Sequence, residues 1–305
     1  MDRKLLNVII LLVAVLVVFV LIAWIGGMLN DSLSLQTTGT KRFLAAGIGL
    51  VVVFLIYLFT RSSGAWEVGT REVVYMAIGA ALYAILSWLF NGTVFAVPSA
   101  SQVALRPAIA IPMFFGYAFG PTVGFFTGAV GNMFGDALTG FGLSPQWSIG
   151  NGLIGLIAGM AILIGDKKKS LNTALIVSAV LAALGTVMFL LNRDVTNEFW
   201  FDPYGEPVSL LAGISLVIGF VLVVVVRLAF GKSVDIAAAV TWSMLGNIIG
   251  IGLAALSDIY VNGYSLTVAV VGEFLPAAGP NLIFAAILVP ILVAAYAAVQ
   301  RQTGR

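Results

Sequence analysis

The side chains in this sequence that could do chemistry are few, and most of them sit in apolar surroundings. Asn132 and Asp136 lie four residues apart and so share one face of a helix, and Trp147 and Asn151 repeat that spacing one segment later. Arg106 opens one apolar run, Asn247 lies within another, and Glu273 and Asn281 occupy the first part of the last. Together they offer amide hydrogen bonds, charge and a flat indole, which suits holding a polar small molecule. The same groups also serve as interhelical hydrogen bonds, worth about 0.6–2 kcal/mol in a membrane. Arg106 equally suits the headgroup level, and Glu273 a solvated loop. Their clustering favours a pocket for the set rather than for any one member.

Other chemistries are excluded by what is missing. With no Cys and no His there are no thiol nucleophiles, disulfides, usual zinc ligands or side chains that titrate nearest neutral pH. Gly231-Lys232-Ser233 is not a phosphate loop, because the required first glycine is Val226. Gly135-Asp136 and Gly165-Asp166 lack the fuller Gly-x-Gly-Asp pattern of intramembrane aspartyl proteases. The spans hold no serine–lysine or serine–histidine pair. No catalytic residue, metal or cofactor is expected, and the chain is not expected to be an enzyme.

The elements that position these residues follow from composition. Of 305 residues, 61% are hydrophobic and only 9% charged, with a mean hydropathy of +1.10; a soluble domain carries about 25% charged residues. The chain is read as an all-α integral membrane protein. Its net charge of +2, without a long basic run, gives no nucleic-acid footprint. Apolar segments run from Leu5 to about Ile25 and over 43–60, 72–90, 102–119, 121–139, 147–165, 171–191, 208–230, 236–256 and 268–299. Judged against the roughly 20 residues a span needs, these give about ten transmembrane helices. The first follows Arg3 and Lys4 but is too long for a signal peptide, and Trp24-Ile25-Gly26-Gly27 is a poor cleavage site, so it is read as a retained span. Gly120-Pro121 ends one helix and opens the next, which makes a tight hairpin.

With both termini placed inside, only Lys41, Arg42, Arg106 and Arg193 fall outside, so 11 of the 15 basic residues obey the positive-inside rule. The polar cluster then lies in the outer half of the bundle while the inner halves are apolar, which points to a pocket open to the outside rather than a pore. Small residues at a spacing of four let helix backbones touch: Gly120, Gly124 and Gly128; Gly131 and Gly135; Gly155 and Gly159; Ala77 and Ala81 beside Ala80 and Ala84. Internal packing is their ordinary role, and an alanine stripe can instead receive a partner's helix. Trp147-Ser148-Ile149-Gly150-Asn151 and Trp242-Ser243-Met244-Leu245-Gly246-Asn247 echo one another, too briefly to establish a duplication.

From Arg106-Pro107 through Phe119-Gly120-Pro121, Gly124, Gly128, Asn132 and Asp136, and on through Trp147-Ser148-Ile149-Gly150-Asn151-Gly152 to Gly155, the sequence resembles the substrate-binding S components of energy-coupling factor (ECF) transporters, closest to the riboflavin branch. The Ala-rich stretch 77–84 looks like the family's first core helix, and Phe274-Leu275-Pro276 through Asn281 to Pro290 looks like its closing segment. The resemblance implies a multi-pass protein of the prokaryotic plasma membrane that captures a vitamin-like micronutrient from outside. In that family the S component docks on a transmembrane coupling subunit driven by a pair of cytoplasmic ATPases. By the family's pattern Ala77 and Ala81, or Ala80 and Ala84, would meet the coupling subunit. Asn132, Asp136, Trp147 and Asn151 would line or support the pocket, with Arg106, Asn247 and Asn281 as further substrate-binding candidates, and the loop 91–105 would cover it. The family's core usually has six helices, so 1–65 is read as an additional N-terminal transmembrane hairpin and 66–305 as the S-component-like core. Trp147, Trp200, Phe201 and Tyr204 near the outer surface suit stacking on a flat ring such as a flavin, and they suit interfacial anchoring as well. The competing readings are a stand-alone secondary transporter for a small organic solute and a non-transporting scaffold or enzyme.

Overall fold

The structure is a computed structural model that describes residues 2–35, 38–91, 96–97, 99–100, 103–140, 142–163, 167–196, 198, 205–231 and 233–303. Among them are ten α-helices: α1 (Arg3–Leu29), α2 (Gly39–Thr60), α3 (Thr70–Asn91), α4 (Ala110–Phe119), α5 (Pro121–Thr139), α6 (Pro145–Gly159), α7 (Lys167–Leu191), α8 (Leu210–Ala229), α9 (Val234–Val261) and α10 (Leu275–Gln302). A two-residue antiparallel ribbon pairs β1 (Ala96–Val97) with β2 (Val103–Ala104). The aromatic residues Trp200, Phe201 and Tyr204 lie outside the described residues, as do 92–95, 98 and 101–102 of the 91–105 loop.

Seven helical segments are long and apolar enough to cross a membrane: α1, α2, α3, α7, α8, α9 and the last segment from Val268. The chain is thus an all-α membrane protein, with α4, α5 and α6 enclosed by the longer helices. Large aliphatic side chains on α1, α2, α3, α7 and α8 face outward, as lipid requires, whereas α5 and α6 are buried over most of their length.

The sequence reading expects about ten spans, but α4, α5 and α6 are not among the seven segments that meet this measure, and two runs also differ in their local course. The run 102–119 is not one spanning helix: it passes from the ribbon through a 3-10 turn at Pro107–Ile109 before α4 begins at Ala110. Pro107 is the reason, since proline disfavours helical geometry in the residue before it, and Arg106 accordingly sits at φ −121°, ψ 81°. The last run opens with a π-helical stretch, Val268–Phe274, before α10. Pro276 has no N–H for the carbonyl of Gly272 four residues back; that carbonyl instead accepts the backbone N–H of Ala100 at 2.8 Å. The loop after α3 is thereby fastened to the π-helical stretch that precedes α10.

The expected hairpin is present, with Gly120 at φ 106° and Pro121 opening α5. Gly120 makes the turn, and an added methyl there would meet nothing within 4 Å, but the other registered glycines close the bundle. A methyl group at Gly124 would overlap the carbonyl of Gly155, one at Gly128 the carbonyl of Asn151, and one at Gly155 the backbone of Gly124. Gly131 and Gly135 play the same part against Ala80, Tyr83 and Ser87 of α3. Gly150 and Gly250 bring α6 and the antiparallel α9 together. The two Trp-to-Asn stretches therefore run in opposite directions on touching helices.

The α1–α2 pair packs on this centre. Gly49 of α2 abuts Ile149 of α6, Ser32 Oγ donates to the Gly140 carbonyl at 3.2 Å, and Arg42 Nη1 donates to the Leu143 carbonyl at 3.0 Å and to Ser144 Oγ at 2.6 Å. Where backbones are in contact an added methyl has nowhere to go. Gly128→Ala is expected to lower stability by about 1–3 kcal/mol through overpacking. Gly47→Ala, with nothing within 4 Å of the new methyl, is expected to be neutral or up to about 1 kcal/mol stabilising. Thermal unfolding of the two variants in detergent checks the contrast.

Candidate functional site

A cavity of about 490 Å³ opens at one end of the bundle, where α1 leads into α2, α5 into α6, and α9 into the last segment. Its volume falls within the ~300–1,000 Å³ of ordinary small-molecule sites. Six of the seven substrate-binding candidates line it: Arg106, Asn132, Asp136, Trp147, Asn151 and Asn281. They come from four elements, because the backbone contact of α5 with α6 sets Asn132 and Asp136 beside Asn151 and Trp147. The glycine-set approach of α3 adds Tyr83 behind them.

The deep wall is a connected polar network. Arg106 Nη2 meets Asp136 Oδ1 at 3.1 Å, and Arg106 Nη1 donates to Asn132 Oδ1. Asn132 Nδ2 donates to Asp136 Oδ2 at 2.8 Å and to Ser148 Oγ at 3.0 Å. Asn151 Oδ1 accepts from the Tyr83 hydroxyl at 2.8 Å, and its Nδ2 donates to the Trp147 carbonyl at 2.9 Å. A carboxylate here is tolerable because it is both paired and hydrogen-bonded.

The opposite wall is built around Asp258. Its Oδ2 accepts from the Trp147 indole at 2.7 Å and its Oδ1 from Gln146 Nε2 at 3.0 Å, so the tryptophan ring is held edge-on by α9. Asn281 lies on the cavity at 6% exposure, and its side chain makes no hydrogen bond to a described residue. Gln146 Oε1 is buried without a partner among the described residues. Ala100, Val103 and Ala104 supply the contribution of the loop after α3. Tyr264, in the turn after α9, fixes that loop by donating to the Ala100 carbonyl at 3.3 Å. Burial, and then the nearby carboxylates of Glu273 and Asp258, push the Tyr264 hydroxyl up to about 12, so it remains a protonated donor at any physiological pH.

Asn247 is the candidate that does not reach the cavity: it is fully buried and donates to the Ala278 carbonyl at 2.8 Å, tying α9 to α10. Glu273 is fully buried on the π-helical stretch rather than solvated in a loop. Of the alanines, Ala80 and Ala84 point inward onto α5 and are unavailable to a partner, while Ala77 and Ala81 face outward. The sequence reading missed Tyr83, Gln146, Asp258 and Arg42. Asp258 lies past the end of the expected 236–256 span, but α9 runs on to Val261 and sets it one turn beyond Ala254, facing α6.

Removing one member of a buried ion pair leaves a bare charge behind. Arg106→Met or Asp136→Leu alone is expected to cost about 3–5 kcal/mol, and the double variant is expected to recover much of that loss. Thermal unfolding of the two single variants and the double variant in detergent checks the pattern.

The family described as ECF-type riboflavin transporter, S component, matches residues 67–235, more than half of the chain. A UPF0397 protein of Vibrio atlanticus is 38% identical over 91 residues, 30% of this chain and 47% of the relative. UPF0397 proteins of Aliivibrio fischeri and Aliivibrio salmonicida are 34% and 33% identical over 103 residues, 33% of this chain and 54% of each relative. The chain thus spans about half the length of the curated relatives it matches. No solved structure matches. The matched region holds α3 to α8 together with Arg106, Asn132, Asp136, Trp147 and Asn151, the core of the polar network, and on that match the chain belongs to the ECF-type riboflavin transporter S component family.

Proposed function

We propose that this protein is the membrane-embedded substrate-binding subunit of an ECF-type transporter. It captures a vitamin or related micronutrient from outside a prokaryotic plasma membrane for ATP-driven uptake by partner subunits. The observation that carries this reading is a cavity whose polar groups converge at one end of the bundle while the α5–α6 backbone contact closes the rest. A chain of this kind holds a ligand but offers it no path across. Asn281 and Gln146 line the cavity; the Asn281 side chain and Gln146 Oε1 have no hydrogen-bond partner among the described residues, and a polar ligand would satisfy them.

Arg106, Asn132, Asp136, Trp147, Asn151 and Asn281 are the residues assigned to the ligand. Riboflavin is the compound that the family's description offers. Both termini lie in the cytoplasm, which puts the cavity outside. The coupling subunit, driven by a pair of ATPases, docks on the lipid-facing side of α3 at Ala77 and Ala81, where small side chains allow close approach. The chain has no catalytic role.

Cells producing the chain with an ECF coupling module, and cells producing it alone, can be fed a radiolabelled mixture of B vitamins. Label is expected to accumulate only when both are present. Ala81→Trp is expected to cut accumulation at least tenfold without changing the label bound by the purified chain. Accumulation by the chain alone would overturn the reading in favour of a self-sufficient transporter.

A further inference from the structure

The α1–α2 hairpin lies before residue 67 and so outside the region that matches the family, yet Ser32, Ser34, Leu35, Thr38 and Arg42 of that hairpin line the cavity. Arg42 differs from the cavity's other guanidinium. Arg106 is neutralised in contact with Asp136. Half-buried Arg42 is held only by neutral acceptors: Nε by Thr38 Oγ1 at 3.1 Å, and Nη1 by the Leu143 carbonyl and Ser144 Oγ. Among the described residues no carboxylate lies within ion-pair distance of it, and its Nη2 makes no hydrogen bond.

Asp258 also lines the cavity and feels the charge of Arg42 at longer range. Its two oxygens are already engaged by Gln146 and Trp147 of α6. Among the described residues the cavity therefore presents one cation without a carboxylate in contact, Arg42, while both oxygens of Asp136 and of Asp258 already accept hydrogen bonds. A guanidinium fixed in orientation at the rim of a partly buried site is suited to a planar or tetrahedral anion, which it binds by charge-assisted hydrogen bonds. Ser34 of the same hairpin also lines the cavity.

We propose that the N-terminal hairpin completes the ligand cavity and that Arg42 selects a ligand bearing an anionic group, a carboxylate or a phosphate. This rests on the receptor reading above, and it favours an acid-bearing micronutrient over neutral riboflavin. Arg42 is a specificity-determining residue supplied from outside the family's common core.

Matched pairs that differ by one anionic group test it by direct binding to the purified full-length chain. The probes are nicotinamide and nicotinate, panthenol and pantothenate, biotinamide and biotin, and riboflavin and riboflavin 5′-phosphate. In at least one pair the anionic member is expected to bind ten times or more tightly than its neutral twin, and the pair concerned separates carboxylate from phosphate recognition. Arg42→Gln is expected to remove that preference, and Arg42→Lys to retain part of it. Neutral members bound as tightly as their anionic twins in every pair that binds the unaltered chain overturn the proposal whether or not the variants fold, and so does a preference that survives in folded Arg42→Gln; both leave the receptor reading standing. Failure of all eight compounds to bind overturns the receptor reading for vitamins of these classes, and this proposal with it.

Discussion

Backbone-to-backbone contact between α5 and α6 is the constraint on which the site depends. Gly124, Gly128 and Gly155 let the two helices approach until a carbonyl of one fills the space of a missing side chain on the other. In lipid there is little hydrophobic drive to bring helices together, so close packing and hydrogen bonding must do it. The same closeness brings Asn132 of α5 within hydrogen-bonding range of Ser148 of α6. Further glycines repeat the arrangement toward α3 and α9, and the polar network thereby gains Tyr83 on one side and the Asp258 wall on the other.

That network explains how a membrane bundle tolerates charge at its centre. Arg106 and Asp136 compensate one another, and Asn132 satisfies groups on both. The cavity beside them is polar without carrying a large net charge. Its rim is built by segments of different origin: the turn after α1, the start of α6, the loop after α3 and the turn after α9. The loop after α3 is fastened by the carbonyl that Pro276 leaves free and by the Tyr264 hydroxyl, so a proline in the last segment shapes the opposite side of the site.

Much of this was legible in the sequence, for reasons that differ by level. Lipid demands long apolar runs, so the helices announce themselves, and Gly120-Pro121 marked the one tight hairpin between buried helices. Spacing by four placed Asn132 with Asp136 and Trp147 with Asn151 before any packing was known, and six of the candidate residues line the cavity. What sequence could not supply was adjacency. Nothing in the pattern of α1 and α2 says that Arg42 reaches Leu143 and Ser144, because that depends on surfaces spread over many side chains. Arg106-Pro107 looked like the start of a span, although its proline argues for irregular backbone. Asn247 resembles Asn151 in its local sequence, but its helix runs the opposite way and uses the amide to tie α9 to α10.

The receptor proposed here holds one small molecule by itself, in the cavity at the α5–α6 and α9 ends. Native mass spectrometry of the detergent-purified chain, after incubation with a whole-cell metabolite extract, tests it most directly. The account predicts a single one-to-one adduct of vitamin-like mass that is displaced by excess of the same compound. A chain that remains without an adduct at every extract concentration, while still folded, would contradict it.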